Sequence, residues 1–277
     1  MNPLVLAALP AFLGSLFLMQ RGGASPSQQL QQAVVFCVAA LACTLLSHKP
    51  LPFTDKSRDR ALIVAAVLVV LPLLLPSTAP HRWLGAGGFR LYIASVVLPS
   101  AVLLLAQARS GWAHLLVIAA ALAAQPDASQ ATAFALAGLV VLLRAPLPVL
   151  ARVGVGAALA GAATVAWLRP DPLEPVSYVE GVLVLAQQVG PLALGLALVA
   201  LALPIAALLR MGQLGVAVYY VAILFFAYRQ LTPMPLLGFG VGPILGYFGM
   251  ASLCRPREIR RLKAASRGAS ATKSLRD

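Results

Sequence analysis

Residues 179–209 read VEGVLVLAQQVGPLALGLALVALALPIAALL, a run whose one charge is Glu180 and which ends only at Arg210. A helix that crosses a bilayer needs roughly 20 mostly apolar residues, so part of this run suffices for a span. A helix apolar on every side is not the amphipathic helix of a soluble domain. Reading outward for further apolar runs between charges and turn residues gives nine more candidates: 2–19, 30–48, 61–77, 91–107, 112–125, 129–143, 150–168, 213–228 and 235–254. The expected fold is therefore all-α, a polytopic bundle of about ten transmembrane helices. Nine is the alternative count, and the division is least sharp around 112–143. The first run has no Lys or Arg ahead of it, so it reads as a span and not as a cleaved signal.

Composition agrees. Of 277 residues 60% are hydrophobic and 10% charged, where soluble domains carry about a quarter charged; mean hydropathy is +0.89. That excludes an ordinary cytosolic enzyme, a disordered chain and a disulfide-stapled secreted domain. The net charge of +13, from 21 Lys and Arg against 8 Asp and Glu, would suggest nucleic acid, but no polar face exists to present to a phosphate backbone. Ten spans with both termini cytoplasmic put 16 of the 21 bases on inside loops and five (Arg21, Arg82, Arg90, Arg169 and Arg229) outside. Positive charge resists translocation, so the bases set topology. The bundle is expected over 1–254 and a basic cytoplasmic tail over 255–277, where Arg255, Arg257, Arg260, Arg261, Lys263 and Arg267 would meet anionic lipid. Pro72, Pro99, Pro191, Pro204 and Pro243 predict kinks with carbonyls to be satisfied by neighbours. Gly154, Ala158 and Ala162 predict a face that admits a neighbouring helix closely. Cys37, Cys43 and Cys254 form no metal spacing and no disulfide framework.

The scarce acids carry the chemistry. Asp55, Asp59, Glu258 and Asp277 sit among inside Lys and Arg; Asp127, Asp171, Glu174 and Glu180 fall on the outside. A base at the outer leaflet must be one of these four or His81. No phosphate-binding loop, His-Glu-x-x-His or Gly-x-Ser-x-Gly is present. Three constellations remain. His81-Arg82-Trp83-Leu84-Gly85-Ala86-Gly87-Gly88-Phe89-Arg90 puts cations and an aromatic at the interface, as anchors or as a grip in which Arg82 and Arg90 fork around a pyrophosphate. Gln125-Pro126-Asp127 is a helix break, read plainly as a capped turn. Arg169 to Glu180 gathers three of the outer acids, and Glu180 is expected in the first turn of a helix, where the dipole keeps a carboxylate ionised.

In order and spacing these three places resemble the SEDS family, the shape, elongation, division and sporulation proteins such as RodA, FtsW and SpoVE. His81-Arg82-Trp83-Leu84 with Gly87-Gly88-Phe89 is similar to that family's Arg-Arg-Trp-Leu…Gly-Gly-Phe loop, and Gln125-Pro126-Asp127 to its Gln-Pro-Asp turn. Val179 to Gly190 resembles its catalytic helix, and Thr232 to Gly242 its late Pro- and Gly-rich segment. The resemblance implies a ten-span bacterial inner-membrane protein of the cell-wall machinery, related to polymerases of lipid II and working with a class B penicillin-binding protein. It implies Glu180 as catalytic base and Arg82, Trp83, Arg90, Asp127 and Gln187 as substrate-binding residues. The sequence departs from the family where its catalytic Asp falls on Val179, where its paired Glu become Gln187 and Gln188, and where its long external loop shrinks to Arg169–Ser177.

Three functions follow as expectations. The first is a SEDS-like protein handling an undecaprenyl-linked glycan, with Glu180 deprotonating the acceptor hydroxyl and Arg82 with Arg90 stabilising the leaving pyrophosphate. The second is a non-catalytic scaffold for a penicillin-binding or division protein. The third, a flippase or transporter, wants ionisable groups near the midplane, and the apolar runs are almost free of them. No metal site or cofactor is called for, and participation of a divalent cation is left open.

Overall fold

The structure, a computed structural model, describes residues 2–48, 54–75, 81–86, 89–108, 111–169 and 173–254. Lys49, Gly87, Gly88, Arg109, Asp171 and the tail 255–277 lie outside the described residues, as does the side chain of His48. Among the described residues the regular structure is all-helical but for one hairpin. In order it runs α1 (Pro3–Arg21), α2 (Pro26–His48), α3 (Asp55–Leu74), β1 (Trp83–Ala86), β2 (Phe89–Tyr92), α4 (Ile93–Leu105), α5 (Trp112–Ala124), α6 (Ala128–Arg144), α7 (Val149–Trp167), α8 (Val182–Val189), α9 (Pro191–Arg210), α10 (Leu214–Tyr228) and α11 (Val241–Leu253). Among the described residues α1, α2, α7 and α9 are each long and apolar enough to cross a membrane, and α4, α5, α6, α10 and α11 are shorter apolar helices. This is a membrane protein: Leu143, Leu150 and Leu192 stand exposed on α6, α7 and α9, a cost in water that lipid removes.

Nearly all of α4 and α11 is buried and forms the centre with α6 and α10, while α2, α7 and α9 lie at the rim. Side-chain caps close the helix starts that apolar sequence leaves open. Asn2 accepts from the Leu4 N–H, Thr54 from that of Ser57 and Asp127 from that of Gln130. The same Asn2 donates through Nδ2 to Ser47 Oγ and to the Ala251 carbonyl, each at 3.0 Å. The start of α1, the end of α2 and the end of α11 therefore meet at one end of the bundle. At the other, Gln28 Nε2 donates to Tyr178 Oη at 3.1 Å.

Several expectations change. The run 179–209 is two helices, because Gly190 takes φ 145° and Pro191 starts α9; a residue before proline avoids the helical region. The predicted span 235–254 is helical only from Val241. Residues 232–238 form a buried loop, since Pro233, Pro235 and Gly238 break any helix there. Pro191 and Pro243 lie in the first turns of α9 and α11 and demand no kink, whereas Pro72, Pro99 and Pro204, with Pro10, are interior. Beside Pro72, Gln125 Nε2 donates to the Val69 carbonyl at 2.6 Å and His81 Nδ1 lies 3.3 Å from the Pro72 carbonyl. The face of α7 that packs inside the chain is Val155, Leu159, Ala163 and Ala166. Ala162 packs against the core, but Gly154 and Ala158 are exposed and nothing among the described residues stands within 4 Å of a Cβ on Gly154, so no described helix closes on that part of the stripe.

Candidate functional site

The hairpin supplies the first wall. Trp83 pairs with Tyr92 and Gly85 with Arg90 in the antiparallel register. Side chains alternate across a strand, which puts Trp83, Arg90 and Tyr92 on one face and Leu84 and Leu91 on the other; Tyr92 belongs to the core, and Trp83, Leu84 and Leu91 pack against it. The Trp83 and Tyr92 rings stack at 5.1 Å.

The turn before α8 supplies the second wall. The N–H groups of Val179, Glu180 and Gly181 all donate to the Val176 carbonyl at 3.0–3.1 Å. Glu180 closes the same turn from its side chain, with Oε2 accepting the Val176 N–H at 2.9 Å. Helix α8 begins only at Val182, so Glu180 precedes it and does not occupy its first turn. The reason is local: a turn that folds back on Val176 uses the N–H groups a helix start would leave free.

The buried loop 232–240 is the third wall. Non-helical backbone at membrane depth survives only where protein satisfies it, and two polar side chains from α1 and α2 do so. Ser15 Oγ donates to the Gly238 carbonyl at 3.0 Å and accepts the Gly238 N–H at 3.1 Å. Gln32 Nε2 donates to the same carbonyl at 2.7 Å while its Oε1 accepts the Gly240 N–H at 3.1 Å. The loop clips onto the second wall through Phe239 N–H to the Tyr178 carbonyl, 2.8 Å, and Met234 N–H to the Val179 carbonyl, 3.1 Å.

Between the walls lies a cavity of about 560 Å³, whose lining includes Gln31, Trp83, Arg90, Glu174, Val179, Glu180 and Phe239. Three residues singled out in the sequence, Trp83, Arg90 and Glu180, thus meet in one place. Arg82 does not join them. It is buried, its Nη1 donates to the Pro126 carbonyl at 3.4 Å, and it lines a separate pocket of about 100 Å³ with Asp127, Ser129 and Arg169. Its guanidinium lies over the Trp83 and Tyr92 rings, 6.0 and 5.6 Å from their centroids, whereas Arg90 is exposed and lines the cavity, so the two bases serve different pockets and do not form a joint clamp. Gln187 is exposed on α8 and lines neither pocket.

Asp127 is buried, and one oxygen caps α6 at the Gln130 N–H, 3.2 Å. The other accepts from Tyr92 Oη, which joins the small pocket to the cavity through a residue that lines the larger one. Burial pushes the Tyr92 phenol, in the hairpin ahead of α4, well above its ordinary value; the Asp127 carboxylate adds to the shift and Arg82 opposes it. Tyr92 therefore stays a neutral donor. Behind Asp127, Tyr219 Oη donates to Gln130 Oε1 at 2.6 Å. On the rim, Arg169 Nη1 donates to the Ala124 carbonyl and closes the end of α5.

Sequence reasoning passed over Tyr92, Gln31 and Phe239, and the supports Ser15 and Gln32. The pair Gln31-Gln32 in the apolar run 30–48 was a legible sign of a buried hydrogen-bonded partner, although nothing local names that partner. Among the described residues no three His, Cys, Asp or Glu side chains converge as a metal site requires. One guanidinium, two carboxylates and three aromatics among the described lining residues, beside apolar walls, suit a ligand that is charged at one end and apolar at the other. No protein-family model matches this chain, and no curated protein matches its sequence.

Proposed function

We propose that this protein is a SEDS-like component of the bacterial inner membrane whose outer cavity takes a lipid-linked glycan precursor. The observation that carries the reading is convergence: Trp83 and Arg90 from one motif and Glu180 from another, far apart in sequence, line the same cavity. In this reading every helix but α8 crosses the membrane, ten in all, with both ends of the chain cytoplasmic. The contact of Asn2 with Ala251 supports an even number of crossings, and the Lys and Arg excess at that end supports the orientation.

Arg90 takes the pyrophosphate of an undecaprenyl-linked disaccharide, because a guanidinium fork matches phosphate oxygens. Glu180 accepts the proton of the incoming sugar hydroxyl as that oxygen bonds to the anomeric carbon and undecaprenyl pyrophosphate departs. Purified protein supplied with lipid II tests this. Arg90→Ala is expected to weaken lipid II binding about tenfold, the loss of one charge-assisted contact. Glu180→Gln is expected to keep binding and form no polymer; polymerisation at the wild-type rate in Glu180→Gln would overturn the catalytic assignment.

A second reading is a scaffold that holds a class B penicillin-binding protein without turning over substrate. It is favoured by Val179 standing where the resemblance puts an acid and by the Glu180 carboxylate being held in its own turn. That reading predicts no polymer from the wild type, with partner capture unchanged by Glu180→Ala.

A further inference from the structure

At the opposite end of the bundle from the outer cavity, two features of α3 and α5 meet. The first turn of α3 builds a polar pocket of about 300 Å³, lined by Asp55, Lys56, Arg58, Asp59, Leu62, Ala108 and Gly111. One helical turn further on, Ile63, Ala66, Val67, Val70, Leu71 and Leu74 of α3 line an apolar groove of about 470 Å³ with Ala113, His114 and Val117 of α5. The two are continuous: Asp59 lines the pocket, His114 lines the groove, and His114 Nε2 lies 3.3 Å from Asp59 Oδ1. We propose that this face binds one phospholipid with a primary-amine headgroup, of the phosphatidylethanolamine type, in the leaflet on the side of the α3 N-terminus. The headgroup fills the pocket and one acyl chain lies along the groove.

Depth, charge and hydrogen bonding argue for this occupant. From Ile63 to Leu74 a helix rises about 16 Å, close to half of a hydrocarbon core about 30 Å thick, so the groove is as long as one leaflet is deep. Among the described residues that line it, the pocket sets two bases against two acids, which suits a zwitterion. A phosphate has Lys56 and Arg58 to meet it, and Arg58 Nε is buried with no hydrogen-bond partner. An ammonium has carboxylates within reach, since the side chains of Asp55 and Asp59 remain 75% and 57% exposed although each already pairs with a base. An anionic headgroup without an amine would leave those carboxylates facing a phosphate, and a choline nitrogen has no N–H to give them. At the seam His114 Nδ1 is also buried without a partner, a second polar atom that a headgroup can meet.

The test is native mass spectrometry of the full chain, delipidated in detergent and then offered phosphatidylethanolamine, phosphatidylcholine or phosphatidylglycerol. The expected result is one phosphatidylethanolamine retained per chain, with the other two held about tenfold less well. Arg58→Ala should lower that retention by a similar factor. Val67→Trp, at a position 57% exposed in the groove, should abolish it in a protein that stays monodisperse. Leu150→Trp, on the exposed face of α7, should leave it unchanged. Equal retention of the three lipids, or wild-type retention in Val67→Trp, overturns the proposal in favour of ordinary annular lipid.

Discussion

Gly246 has no room for a side chain. A Cβ there would be driven into the Ser95 carbonyl, and one on Gly242 would stand 2.9 Å from the Tyr92 carbonyl. The spacing Gly242-x-x-x-Gly246 lets the backbones of α11 and α4 touch, as small residues do where lipid removes the hydrophobic drive for helices to associate. Gly246→Ala is expected to destabilise the protein by about 1–3 kcal/mol through forced backbone separation, seen as a lowered thermal midpoint in detergent. Gly249→Ala, where the nearest atom is Ser100 Oγ at 3.7 Å, is the control and should be neutral. Such a pair of glycines is visible in the sequence, but its meaning depends on which helix lies opposite. The same limit applies to Arg82. Its charge and its neighbour Trp83 pointed to ligand binding, while its place is set by the Pro126 carbonyl and the Tyr92 ring, partners that no composition encodes.

The element most exposed to disruption is the loop 232–240, because it is buried and holds itself with few backbone bonds of its own. Leu236 sits at φ 63°, a left-handed conformation that L residues avoid, and Gly238 at φ 96° would put a Cβ 2.7 Å from the Tyr178 carbonyl. Gln32 offsets that strain by bonding to both Gly238 and Gly240. Gln32→Leu keeps the volume, leaves the Gly238 carbonyl to Ser15 alone and takes the partner from the Gly240 N–H, at a cost of about 1–3 kcal/mol. Hydrogen exchange should then speed up in 232–240 and in the 176–181 turn it clips to, with α5 and α7 unchanged; uniform exchange across the chain would show that the loop is not a separate unit. The helices were legible before this loop was. In lipid a run of apolar residues has no way to satisfy its backbone except as a helix, so candidate spans translate almost directly into α1 to α7 and α10. At Gly190 the break is bridged locally, by Gly190 N–H to Ala186 and Leu194 N–H to Gly190, but over 233–240 the backbone needs partners from distant segments. Ser15 and Gln32 supply them across more than two hundred residues.

At the scale of the molecule two independent lines meet at the same end. The hydrogen bonds of Asn2 gather residues 2, 47 and 251, and the charge count assigns most Lys and Arg to the loops that such an arrangement places there. Neither line uses the other, since one rests on uncharged side chains and the other on charge alone. The division of the α1–α2 and α2–α3 connections between the two sides is its sharpest consequence. Ser25, exposed between α1 and α2, belongs to the end that carries Tyr178 and the outer cavity; Thr54, exposed at the cap of α3, belongs to the other. With Cys37, Cys43 and Cys254 replaced by Ala, Ser25→Cys should react with a membrane-impermeant maleimide added to intact spheroplasts. Thr54→Cys should react only once the membrane is opened. The reverse pattern would invert the orientation and move the cavity to the cytoplasmic face, where no lipid-linked glycan awaits polymerisation. Labelling of both from outside would mean that α2 does not cross, and the agreement between the charge count and the contacts of Asn2 would then be accidental.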